Sequence, residues 1–301
     1  MKKLILQPGN FFYKTEGKRI FYKKTMQFIV NIFQSKSKKN WLKNFHSIPS
    51  SNIEDKKGYL VLPPNTLSAE LSEQVDEVCN KIINSGRKPV RKSKDFLLQL
   101  LTDKDIEENP SLLNFALNDE LLSIVSRYLG CPPLLKSMKL MKSVRTEGDR
   151  TSSQLFHCDY DDTKQVKVFL NINDVTLKNG PLTVVPADIS EKFKKNHEYE
   201  YGEYGHIPSV NTVKLTKNSE QLIGPRGQVA LVDTSNVFHC GSNVDQGERY
   251  IFYLQYTTES NFEINPLLSL LPLKFVSKFY PFLDIAKKVK ITKNLYALGS
   301  R

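Results

Sequence analysis

The chain has no C-x-x-C pair, no internal repeat, and no apolar run approaching the roughly 20 residues that a membrane-spanning helix needs. Its four cysteines, Cys79, Cys131, Cys158 and Cys240, are widely spaced, which argues against a disulfide framework and for reduced thiols. After Met1-Lys2-Lys3 the apolar run Leu4-Ile5-Leu6 stops at Gln7-Pro8-Gly9, too short for the core of a secretory signal. The expected location is therefore cytoplasmic. Acids are scarce at both ends: residues 1–50 hold eleven Lys or Arg against Glu16 alone, and residues 263–301 hold seven against two acids. Of a net charge of +11, the ends carry +10 and +5 and residues 51–262 carry −4, so the basicity belongs to the ends. No nucleic-acid-binding motif accompanies it, and no nucleic-acid partner is expected.

The centre does contain a possible metal set. His157-Cys158-Asp159 is followed by His239, 82 positions later. Two histidines and one carboxylate with open coordination positions suit non-haem Fe(II) that must also bind a co-substrate and O2. In extended backbone, positions i and i+2 project to one side, so His157 and Asp159 can hold one ion while Cys158 points away. The same alternation turns Cys240 away from the site. His197 and His206 are expected at the surface, and His46 has no evident partner.

Residues 227–233 read as a strand, 236–239 as the next and 249–257 as a third. Gly241, Ser242, Asn243, Asp245 and Gly247 are turn formers, so the last two strands are expected to form a hairpin. Such a hairpin puts Arg249 opposite His239, with Cβ atoms about 5 Å apart. Arg249 then stands beside the metal without binding it and offers a planar fork to a carboxylate. A dicarboxylate chelating the metal at one end would fill that space. Ser242 could reach it from the turn.

The ordered set of H-x-D, distal His and following Arg resembles the phytanoyl-CoA dioxygenase family of Fe(II)- and 2-oxoglutarate-dependent oxygenases. So do the early strand Gly58-Tyr59-Leu60-Val61-Leu62 and the segment 174–186 that ends in Thr183-Val184-Val185-Pro186. The resemblance runs over about residues 56–260. It implies an α+β fold, a double-stranded β-helix (jelly roll, cupin-like) with N-terminal supporting helices. It also implies metal ligation by His157, Asp159 and His239, and 2-oxoglutarate bound by Arg249, with Lys142 and Gln154 lining its pocket. Fe(II) and O2 complete the cofactors, and the reaction is hydroxylation of an unactivated carbon in a small-molecule or acyl substrate, releasing succinate and CO2. Related halogenases have a small residue where this chain has Asp159, so hydroxylation is expected rather than halogenation. The chain departs from the family after Pro186, where Ala187-Asp188-Ile189-Ser190 replaces the usual Gly-Ser-His. Two other readings stay open: a non-catalytic metal-binding jelly roll, and a cupin-like metalloenzyme that does not use 2-oxoglutarate.

Around this centre, helices are expected over 66–84 and 111–129, with strands from about 134 onward. The long stretch 187–223 is expected to be a specificity loop or lid over the barrel mouth. Three regions result: a basic, aromatic-rich extension (1–55), the oxygenase domain (56–260) and a basic, apolar extension (261–301). Residues 19–34 could form a helix with one broad apolar side. Lysines interleaved with aromatics there, and in the amphipathic stretch 284–290, fit peripheral contact with an anionic membrane surface.

Overall fold

The computed structural model describes residues 11–202, 205–208, 212–259, 261–262 and 280–298. Helix α1 (Glu16–His46) precedes strand β1 (Tyr59–Leu62) and helix α2 (Ala69–Asn84). A hairpin follows, β2 (Arg91–Lys94) and β3 (Leu97–Gln99), then helices α3 (Asp103–Glu108), α4 (Pro110–Ala116) and α5 (Asp119–Leu129). The rest is mainly strands: β4 (Leu134–Ser143), β5 (Val166–Asn171), β6 (Leu182–Val184), β7 (Glu220–Leu222), β8 (Val229–Val232), β9 (His239–Gly241) and β10 (Arg249–Thr257). Between β6 and β7 lie α6 (Ala187–Asn196) and α7 (Val213–Lys217), and α8 (Pro281–Lys288) comes last.

The strands form two antiparallel sheets, a large one in the order β1-β8-β5-β10-β4-β3-β2 and a small one in the order β7-β6-β9. This is the expected α+β jelly roll. Alternation along the large sheet separates two faces. Met138, Leu140, Val168, Leu170, Phe252 and Leu254 are all buried, in one core with Leu112, Leu113 and Leu121 of the helices. Each such side chain stabilises the fold by roughly 1.5–3 kcal/mol. The alternate positions face the small sheet and enclose the site.

Several local expectations give way to the structure. The helix expected over 111–129 is two helices, because the Asn118 side chain accepts from Leu121 N at 3.0 Å and caps a new start. Gly130, at φ +68°, closes α5 ahead of Pro132-Pro133. The strand expected from 236 begins only at His239, since the amides of Asn236 and Val237 both bond back to Asp233 O in a turn. More consequentially, β9 and β10 form no hairpin: β9 pairs with β6, and β10 lies between β5 and β4. Residues 242–248 turn a corner between the sheets, with Val244 bridging Asn179. Gly180 sits beneath that corner at φ +82°, where a Cβ would come within 2.8 Å of Ser242 O.

The ends and the long stretch also differ. Segment 187–223 contains α6, α7 and β7, and it buries Phe193, Tyr201 and Leu215 against Phe156 and Phe238. Its described residues are packed structure rather than a loop. Helix α1 extends to His46 and docks on α5, where Ser123 Oγ donates to Phe45 O at 2.8 Å. Its broad apolar side is not the buried one: Arg19 and Tyr22 are buried, whereas Phe21 and Phe28 are 63% and 69% exposed. At the other end Leu283, Ile285 and Leu298 join the main core, so residues 280–298 are part of the domain's packing. The apolar stretch 266–276 lies outside the described residues.

Candidate metal centre

Backbone pairing sets the two histidines face to face. His157 N donates to His239 O at 3.1 Å and His239 N to His157 O at 3.0 Å, an antiparallel bridge that adds the 156–157 segment to the edge of the small sheet. Two residues on, Asp159 N donates to Thr234 O at 2.7 Å and holds the carboxylate on the same side. The intervening residues point the other way: Phe156, Cys158, Phe238 and Cys240 are buried together in a separate cluster. Burial pushes the Cys158 thiol up to about 12 and that of Cys240 to about 11, which leaves both protonated.

Hydrogen bonding then selects the tautomers. His157 Nδ1 lies 2.9 Å from Leu155 O and His239 Nδ1 lies 3.0 Å from Val237 O. A carbonyl only accepts, so each Nδ1 carries the proton and each Nε2 presents a lone pair. His157 Nε2 is 3.8 Å from Asp159 Oδ1 and His239 Nε2 is 3.6 Å from Asp159 Oδ2. The ligand atoms of all three residues lie within 4.8 Å of one another. Two imidazole lone pairs and a carboxylate converging at that range fit one divalent transition metal, with Nδ1–H bonds of the kind that orient metal-binding histidines.

The electrostatics keep this set deprotonated. Burial first, and the neighbouring His239 second, lower His157 well below its ordinary value, and burial likewise lowers His239. Burial would raise the Asp159 carboxyl, but Lys167 and the two imidazoles outweigh it and hold the group below the usual carboxylate range. Lys167 Nζ stands 2.5 Å from Asp159 Oδ2 and forms an ion pair with it.

The three residues open onto a cavity of about 230 Å³ between the sheets. Its second wall belongs to the large sheet, where Lys139, Met141 and Ser143 of β4, Lys167 and Phe169 of β5, and Arg249, Ile251 and Tyr253 of β10 alternate inward. Arg249 pairs in register with Ser143 and donates to its Oγ at 3.2 Å through Nη2, while its buried Nε has no hydrogen-bond partner. Burial pushes this guanidinium down to about 10. Thus Arg249 shares the cavity with the metal set although no hairpin joins them. A more open cleft of about 1020 Å³ between α1 and α6 contains none of these residues.

Gln154 and Ser242 also line the cavity. Gln154 Nε2 donates to Asn243 Oδ1 at 3.0 Å, and the Ser242 hydroxyl lies 2.9 Å from that of Thr183. Lys142 does not join them. It occupies an outward position of β4 and pairs with Glu248 Oε1 at 2.5 Å, because alternation gives the inward places to Met141 and Ser143. His206, expected at the surface, is half-buried with its ring 4.9 Å from that of His157, whereas His197 is exposed as expected. Sequence reasoning also missed Lys94, Lys139 and Lys167. For the last two, inward parity with Arg249 was the available signal; the hairpin that carries Lys94 gave none.

Solved structures with this architecture exist. EctD from S. alaskensis with bound Fe aligns with a TM-score of 0.51 at 18% identity, over 69% of this chain and 75% of that one. The epimerase SnoN in complex with Fe3+, alpha ketoglutarate and nogalamycin RO aligns with a TM-score of 0.50 at 12% identity, over 72% and 84%. The likeness shows a shared fold. Neither a protein-family model nor a curated protein sequence matches the chain.

Proposed function

We propose that this chain is an Fe(II)- and 2-oxoglutarate-dependent oxygenase, akin to the phytanoyl-CoA dioxygenase family, that hydroxylates an unactivated carbon of a small molecule. One observation carries the reading: the cavity that holds the His157, Asp159 and His239 donors also holds Arg249, a guanidinium with a buried, unpartnered Nε and no carboxylate paired to it among the described residues. A buried charge without a partner is costly, and a planar fork calls for a carboxylate. A metalloenzyme with no acidic co-substrate has no use for it. Fe(II), O2 and 2-oxoglutarate would together supply oxidation of C–H to C–OH, with succinate and CO2 as co-products. His157, Asp159 and His239 would hold the metal, Arg249 the distal carboxylate of 2-oxoglutarate, and Gln154 and Ser242 the polar edge beside it. Phe169, Ile251 and Leu182 line the space between. With Asp159 filling the third protein position, no place is left there for a halide, which favours hydroxylation.

The decisive experiment is anaerobic calorimetry of 2-oxoglutarate binding with and without Fe(II), followed by admission of O2 and assay of succinate. Binding that depends on Fe(II), with succinate formed only after O2 enters, is the expected result. Metal-independent or absent binding of 2-oxoglutarate would sink the proposal.

We further propose that α1 docks on an anionic bilayer surface. Phe21, Phe28 and Ile32 are 63%, 69% and 62% exposed and, at spacings of seven and four, lie in one line along the helix. Exposed Lys18, Lys24 and Lys39 flank or extend that line. An apolar stripe edged by lysines matches interfacial binding, each basic group contributing about 1 kcal/mol near the surface. No described helix is long and apolar enough to cross a membrane. The full chain should co-sediment with phosphatidylserine vesicles at low salt, and Phe21→Ser with Phe28→Ser should weaken that at least threefold. Equal sedimentation with neutral vesicles would refute it.

A further inference from the structure

A metal-binding carboxylate can give one oxygen to the ion or both. In this cavity the three ligands alone do not choose between those modes. Asp159 Oδ1 lies 3.8 Å from His157 Nε2 and Oδ2 lies 3.6 Å from His239 Nε2, so each oxygen stands beside one imidazole. The choice decides what else can bind. A carboxylate that takes two positions removes one of those that a two-histidine, one-carboxylate centre leaves open for its co-substrates. Lys167 breaks the tie, because its Nζ lies 2.5 Å from Oδ2. An ammonium is a compact point charge, and at that range it competes with a metal for the same oxygen.

The fold sets the place of this lysine. Lys167 is the second residue of β5, in register with Val232 of β8 and Gln255 of β10, and its side chain is 15% exposed. Val166 and Val168 on either side of it belong to the hydrophobic core, so alternation turns Lys167 into the cavity together with Phe169. Asp161, which also acts on Lys167, is itself ion-paired with Lys136 at 2.7 Å. A chain of polar side chains ties the same strands to the backbone of the ligand. Tyr253 Oη donates to Gln255 Oε1 at 3.2 Å, Gln255 Nε2 to Gln165 Oε1 at 2.8 Å, and Gln165 Nε2 to Thr234 Oγ1 at 3.1 Å. Thr234 O in turn accepts from Asp159 N at 2.7 Å. Asp159 is thus held at its amide by Thr234 and at its carboxylate by Lys167, whose ammonium lies 5.8 Å from the Tyr253 ring centroid.

We infer that Lys167 is a positioning residue: its ammonium holds Oδ2 of Asp159, so the carboxylate meets the metal through Oδ1 alone and the positions needed by 2-oxoglutarate and O2 stay open. The identity of those co-substrates rests on the oxygenase reading; the ion pair does not. Partners of ligating groups orient them in this way at metal sites generally.

The test loads full-length protein anaerobically with Co(II), whose visible absorption reports its coordination number, and titrates it with 2-oxoglutarate. Lys167→Met keeps the length of the side chain and removes the charge. That variant should retain Co(II) with an absorption unlike the parent's, and should bind 2-oxoglutarate at least tenfold more weakly. A Lys167→Met protein with the parent's Co(II) spectrum, or with the parent's affinity for 2-oxoglutarate, would overturn the inference. A second measurement needs no variant and decides the matter should Lys167→Met lose Co(II) or fail to fold. The crystal structure of the Co(II)-loaded parent should show Asp159 on the metal through Oδ1, with Lys167 on Oδ2; both oxygens on the metal would overturn the inference. A parent that takes up Co(II) but no 2-oxoglutarate would instead sink the oxygenase reading, while the spectra and the metal-loaded structure would still judge Lys167.

Discussion

The wall made by β9 with residues 156–159 and the wall made by β4, β5 and β10 hold their functional groups with different firmness. On the first, each imidazole is fixed at both ends, by backbone pairing of His157 with His239 and by an Nδ1–H bond to a carbonyl two residues back. On the second, Arg249 has one side-chain anchor, Ser143, and the lysines sit on four-carbon stems. Fixed donors suit a metal, whose geometry is exacting; mobile cations suit anions of more than one shape. On the proposed reading the jelly roll separates a rigid wall that would hold the metal from an adaptable wall that would hold anions, and each should fail in its own way when cut.

The largest effect is expected on the metal wall. His157→Ala, Asp159→Ala and His239→Ala should each weaken Fe(II) retention by more than the about 10- to 100-fold typical of outer-shell partners, and should abolish succinate formation. Iron content after gel filtration measures the first, and succinate assay the second. Retention of near-parental iron by two of the three variants would dissolve the distinction between the walls. A smaller effect belongs to the anion wall: Arg249→Lys should weaken 2-oxoglutarate binding at least tenfold, about 1.4 kcal/mol or more, because a forked contact to a buried carboxylate becomes a single point charge. Iron retention should stay within a factor of two. Unchanged 2-oxoglutarate affinity in this variant would break the assignment of Arg249.

These two walls were not equally legible in the sequence. The metal wall follows from local alternation: His157 and Asp159 two apart in extended backbone, with Cys158 turned into a separate core cluster. The anion wall depends on which strands become neighbours, and that is non-local. Placing Arg249 in a hairpin with His239 gave a correct neighbourhood through an incorrect pairing, because residues 242–248 cross between sheets instead of folding back on one. Lys142 illustrates the cost of ignoring parity, since a strand with Arg249 opposite Ser143 must turn Lys142 outward. Lys94 arrives on β2, whose hairpin with β3 joins β4 and has no strong strand pattern of its own. Net charge misled for a related reason: an acidic average over residues 51–262 conceals a cationic interior.

The smallest expected effect concerns stability without metal, and it sharpens the account of the rigid wall. Burial lowers both His157 and His239 relative to the ordinary 6.5, so below that value the unfolded chain takes up protons that the folded chain refuses. Their contribution to stability is fully present above 6.5 and is lost as pH falls toward the lowered folded values. Asp159, also lowered, acts in the same direction but only below its ordinary 3.8. The melting temperature of chelator-treated protein should therefore fall between about pH 7.5 and 5.5, the window in which unfolded histidines charge. Because both groups sit in one wall, the double variant His157→Gln with His239→Gln should flatten this slope even if it changes the stability at pH 7.5. Excess Fe(II) under anaerobic conditions should steepen it in the parent protein, since the metal binds only the neutral imidazoles and protons compete for the same lone pairs. A double variant whose melting temperature tracks pH as the parent's does would place the titrating groups elsewhere, and the firmness of the metal wall would then owe nothing to histidines kept neutral by burial.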